Sequence, residues 1–145
     1  MLFRTEESGL KLDVVNYEFP ADAGDLGSDD RNWLVLRCTW EREDGLILKD
    51  SVSCLLTYEL QEMTAGLKVV KAGLKARYES DFSEPYFMLS ADAEGETFHV
   101  FVSFTLPNTM EDEDVAELEC DLTAEEMTAL IDELDGLCKK FPDRG

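Results

Sequence analysis

The amino-acid sequence predicts an α+β fold: a mostly antiparallel sheet of about seven strands, with two helices packed on one face or end. Three observations lead there. Several segments alternate apolar and polar residues with the period of two that half-buried strands show. These segments come in neighbouring pairs without crossover helices between them, which favours antiparallel pairing. Only two segments carry apolar side chains at helical spacing.

The elements follow in order. Leu10, Leu12 and Val14 alternate, and the phase then slips to Val15, Tyr17 and Phe19, the pattern of a strand with a bulge that Pro20 closes. Residues 21–30 are rich in Gly and Asp and read as an exposed loop. Trp33 to Trp40 is a strand dense in β-forming residues. Asp44-Gly45 is a hairpin turn signal, and Leu46 to Leu55 is the returning strand. Thr57 is placed to cap a helix starting near Tyr58, whose buried stripe is Leu60, Met63, Leu67 and Val70. Gly66 weakens that helix and Gly73 ends it.

Two short strands are expected at 75–80 and 85–91, with a turn at Ala93-Glu94-Gly95. Phe98, Val100, Val102, Phe104 and Leu106 then alternate without a break. Phe101 makes the opposite face bulky as well, so this strand is expected in the middle of its sheet. A charged loop at 110–114 leads to Ala116–Leu122, with one face apolar and one wholly acidic. Thr123 and Glu126 form a capping box for the last helix, whose buried stripe is Met127, Leu130, Ile131, Leu134 and Leu137. No internal repeat or linker is visible, and the 145 residues are read as a single domain, 1–145.

Charge is the most informative part of the composition. There are 33 acidic residues against 13 basic ones, a net of −20, on a chain that is 44% hydrophobic. Such a chain folds and presents a negative field, which repels nucleic acid and anionic lipid and attracts basic partners. No stretch is apolar and long enough for a membrane helix. The N-terminus has no basic region followed by an apolar core, so no signal peptide is expected and the location is read as cytoplasmic. Cys38, Cys54, Cys120 and Cys138 form no CxxC or CxxH pair and are expected as reduced, packed thiols rather than a metal site.

No catalytic motif stands out. His99 is the one histidine, and no neighbouring nucleophile pattern marks it as a base, so no catalytic residue is assigned. Asp112-x-Asp114 and Asp29-Asp30 do not fit a calcium loop, so neither metal nor cofactor is expected. Trp33 and Trp40 point to opposite faces of their strand, which leaves one of them free of the main core. The candidate partner-binding residues are Glu111, Asp112, Glu113, Asp114, Glu117, Glu119 and Asp121, seven carboxylates within eleven residues, with Asp29 and Asp30 as a second group.

The order of segments resembles a known family. Asn32-Trp33-Leu34-Val35, Leu56-Thr57-Tyr58-Glu59-Leu60 at the first helix start, Phe82-Ser83-Glu84-Pro85, and the strand Phe98–Phe104 are similar to the WapI family of bacterial immunity proteins. Tyr58 and Tyr86 depart from its pattern. The resemblance spans most of residues 8–140. It implies a small cytosolic protein that binds and neutralises a contact-dependent toxin, and it supplies no catalytic residue. The expected partner is thus a basic protein, a toxin domain, met by the acidic surface. A small acidic adaptor or secretion chaperone and a carboxylate-dependent enzyme are the alternative functions. A homodimer with apolar patches on exposed helices would mark the chaperone, a cleft of converging carboxylates with perturbed pKa values the enzyme, and a convex acidic face beside an exposed Trp the binder.

Overall fold

The computed structural model describes residues 1–25, 28–109 and 114–145. The described residues form eight strands and two helices, where about seven strands and two helices are expected. They are β1 (Leu2–Arg4), β2 (Gly9–Tyr17), β3 (Trp33–Glu41), β4 (Ile47–Leu56), α1 (Thr57–Lys71), β5 (Arg77–Glu79), β6 (Phe87–Glu94), β7 (Thr97–Leu106), β8 (Asp114–Leu122) and α2 (Ala124–Lys140). The strands form two antiparallel sheets, ordered β1-β2-β3-β4 and β5-β6-β7-β8, rather than one. Each half is thus a four-stranded meander closed by a helix. That repetition of order has no counterpart in a repeated residue pattern.

β1 is the strand that periodicity missed. It has three residues, and only Phe3 is buried, between exposed Leu2 and Arg4. One apolar residue cannot define a period. Elsewhere the pattern translates directly. The phase slip in β2 is a bulge: Val14 pairs with Leu36 and Asn16 with Val35, leaving Val15 unpaired. At the β3–β4 hairpin, Gly45 takes φ 86°, a conformation glycine adopts without the Cβ clash. The Leu46 N–H bonds the Asp44 carboxylate at 3.1 Å. β7 is central, with β6 on one side and β8 on the other.

Helix starts divide into a confirmed cap and a correction. Thr123 Oγ1 accepts the Glu126 N–H at 3.1 Å, and Glu126 Oε1 accepts the Thr123 N–H at 3.0 Å, so the capping box at α2 is present. Thr57 does not cap α1. The N-cap is Leu56, and Thr57 Oγ1 is buried without a hydrogen-bond partner among the described residues. Glu59 does the work from inside the first turn. Its Oε1 accepts the Leu56 N–H at 3.0 Å, and its Oε2 accepts the Ser83 N–H at 2.7 Å. A backbone donor left unbonded at a helix start is satisfied by a carboxylate that also ties down the loop before β6. The Leu-Thr-Tyr-Glu-Leu and Phe-Ser-Glu-Pro segments are therefore joined physically.

Gly66, which looked like a weakness in α1, is a packing requirement. A Cβ there would stand 2.3 Å from Tyr78 Cδ1, so the β5 ring rests against the bare helix backbone. The helices pack on each other; α1 also touches β4, β5 and β6, and α2 touches β7 and β8. The buried apolar residues of both sheets and both helices make one contiguous cluster, from Phe3 and Leu10 to Leu134 and Phe141. Because the helices cover the inner face of the second sheet, its other face is left outward.

Candidate functional site

The outward face of the second sheet gathers its residues by register. Asp92 stands between Arg77 and His99, and His99 between Asp92 and Asp121. The next row is Glu79, Ser90, Phe101 and Glu119, and the one after it Met88, Ser103 and Glu117. Pleating puts all of these on one side, because Val100, Val102, Ala116 and Leu118 between them are buried. Glu117, Glu119 and Asp121 are exposed, while His99, Phe101 and Asp92 are half-buried.

Charge on this face is unbalanced. Six carboxylates (Glu79, Asp92, Glu94, Glu117, Glu119, Asp121) meet Arg77 and His99. Arg77 Nη1 lies 2.6 Å from Asp92 Oδ2. His99 Nδ1 lies 2.9 Å from Asp121 Oδ1, and its Nε2 lies 3.7 Å from Glu119 Oε2. The His99 pKa is raised, chiefly by the hydrogen bond to Asp121 and then, against its partial desolvation, by the charges of Asp121, Glu94 and Glu119. Among the described residues no ion pair involves Glu117 or Glu94. Met88, 46% exposed, and Val115, 43% exposed, put apolar surface beside the carboxylates.

The expected site residues are distributed as follows. Glu117, Glu119 and Asp121 share this face as the alternation requires. Asp114 opens β8 opposite Leu106. Glu111, Asp112 and Glu113 lie outside the described residues. Asp29 and Asp30 belong elsewhere, in a short 3-10 turn spanning Asp29–Asn32. The Tyr58 hydroxyl donates to Asp29 Oδ1 at 3.3 Å. Of the two tryptophans, Trp40 packs against the core cluster, and Trp33 is half-buried with the alternate residues of β3.

Sequence reasoning missed Asp92, Glu94 and Glu79, and it did not join His99 to β8. The signal present was the alternation Met88, Ser90, Asp92, Glu94, which mirrors β8 once the two strands are known to flank β7. Glu94, His99 and Asp121 bring ligand atoms within 4.8 Å of one another. That set matches the donors of a weak divalent-cation site, and an imidazole held between carboxylates explains the same geometry. Three of the thiols are unsuited to nucleophilic chemistry: burial pushes Cys38 and Cys54 up to about 12 and Cys120 up to about 11.

A family model described as "Immunity protein WapI-like family" matches residues 1–142. A search of curated proteins finds no match. No helix of the described residues is long and apolar enough to cross a membrane.

Proposed function

The chain belongs to the WapI-like immunity protein family, and from that membership we propose that it is a non-enzymatic immunity protein that binds and neutralises a cognate toxin domain through the acidic outer face of its second sheet. The site of action is the cytoplasm of the producing cell. The observation that carries the surface assignment is the row of carboxylates with too few cations, flanked by exposed Met88 and half-buried Phe101. Like charges at this spacing repel one another, so the face lowers stability in isolation and gains when a cation-rich surface covers it. A basic toxin surface relieves the repulsion and is steered in by it. The chaperone alternative lacks its mark, because neither α1 nor α2 presents an exposed large apolar side chain.

The test is association rate against ionic strength, with the toxin domain encoded beside this chain's gene. Changing Glu117 and Glu119 to Lys is expected to slow association and flatten its salt dependence while leaving folding stability equal or higher. Exposed charges act over about 8 Å at physiological salt, so the effect belongs to the on-rate. Equal rates for both proteins at every salt concentration would show that this face does not steer the toxin.

A further inference from the structure

The edge strand β8 meets the first sheet along a seam, and a trough follows that seam through three adjoining hollows. The first, about 430 Å³, lies between the β1–β2 turn and β8 and is walled by Glu6, Glu7, Glu43, Glu117 and Glu119. The second, about 300 Å³, shares Ser8, Glu43 and Glu117 with the first and has Trp40 in its wall. The third, about 510 Å³, meets the second at Arg42 and is lined by Leu46 and Leu48, with Asp114 across from them. The trough therefore changes along its length from acidic, through aromatic, to a mixed end where Leu46 and Leu48 stand among Arg42, Lys49, Asn108, Thr109 and Asp114.

Resting on the immunity reading above, we propose that this trough seats an extended segment of the toxin, with a Lys or Arg at its acidic end and an aliphatic side chain at the Leu46–Leu48 end. Charge complementarity supports the first half of that assignment: among the described residues the first hollow is walled by five carboxylates and no cation. The second hollow already displays the contact such a guanidinium makes. Arg42 stands 5.8 Å from the Trp40 ring centroid, and its Nη2 lies 2.8 Å from Asp44 Oδ2. Arg42 thus already takes the indole face and Asp44, which leaves the carboxylates of the first hollow as the seat for the toxin's cation. The aliphatic half rests on the hairpin tip. Leu46 is 48% exposed and lines the third hollow together with Leu48. Such side chains beside a tryptophan are the composition of an interface centre rather than of a plain solvated surface.

Glu117 and Glu119 belong to both the trough and the acidic face, so the trough's own kinetic mark is read at Ser8 and Leu46, which lie outside that face. Exposed charges on a flat face act on encounter, whereas contacts made in a concavity that loses its water act on dissociation. The experiment measures the dissociation rate of the neighbouring gene's toxin domain from wild type and three variants. Ser8→Trp fills the first two hollows, Leu46→Asp spoils the third, and Leu74→Asp alters a 77% exposed side chain just after α1, outside both the trough and the acidic face. Ser8→Trp and Leu46→Asp are each expected to raise the dissociation rate tenfold or more, with Leu74→Asp within about twofold of wild type. Leu46 lies in an exposed turn, so Leu46→Asp decides the matter if Ser8→Trp fails to fold. Wild-type dissociation rates for both trough variants, with toxin still bound, overturn the trough and leave the immunity reading standing. No binding by wild type overturns both.

Discussion

Glu59 ties the fold's first half to the loop before β6, and removing it has a calculable cost. It is 3% exposed, and its two oxygens accept N–H groups from Leu56 at 3.0 Å and from Ser83 at 2.7 Å. Glu59→Ala deletes both acceptors at once. The Leu56 donor is buried at a helix start, and leaving it unbonded costs about 1–3 kcal/mol. Ser83 is exposed, so water replaces its partner, and what is lost there is the net worth of a bond to a charged group, about 1.5–3 kcal/mol. Against this, the carboxylate no longer has to be held out of water, which returns part of the sum. A net loss of about 2–4 kcal/mol is expected, a large share of the roughly 5–15 kcal/mol that a domain has. Urea unfolding followed by circular dichroism reads it as a midpoint lower by about 1–2 M. Glu59→Gln should fall between the two, because its carbonyl serves one donor and its NH2 confronts the other. A Glu59→Ala midpoint equal to that of wild type would refute the bridging role.

Further outcomes follow from the same structure. Gly66→Ala gains about 1 kcal/mol of helix propensity but drives a Cβ to 2.3 Å from Tyr78 Cδ1, and overpacking costs about 1–3 kcal/mol; the variant should be less stable, with Tyr78→Ala in the same chain removing the penalty. Thr123→Ala should cost about 0.5–2 kcal/mol by loss of the α2 cap, and an unchanged unfolding midpoint would count against it. His99 should titrate above 6.5 by NMR, because Asp121 favours its charged form. With the folded pKa raised, its stabilisation is complete below the unfolded value and is lost as pH rises through the folded one. His99→Gln should abolish that titration and leave toxin neutralisation intact, so a folded His99→Gln protein that still binds the toxin but no longer protects would overturn the non-catalytic reading.

By itself the sequence determined the elements whose signals are local. Alternation placed β2 with its bulge, β3, β7 and β8; Asp44-Gly45 placed the hairpin; and Thr123 with Glu126 placed the start of α2. These are properties of a few neighbouring residues, and a period of two or a cap is complete within one segment. It also determined that Glu117, Glu119 and Asp121 share one side of β8, since pleating alone decides that. What lies beside them was decided by the tertiary structure. Two sheets formed where one was expected, because strand alternation says which face is buried but not where a sheet ends. Register set His99 between Asp92 and Asp121, residues far apart in the chain. Glu59 reached Ser83 rather than leaving the helix start to Thr57, and Gly66 yielded its missing side chain to Tyr78. The trough exists only because β8 docks against the β1–β2 turn and the β3–β4 hairpin, a contact between segments whose individual patterns carry no trace of one another.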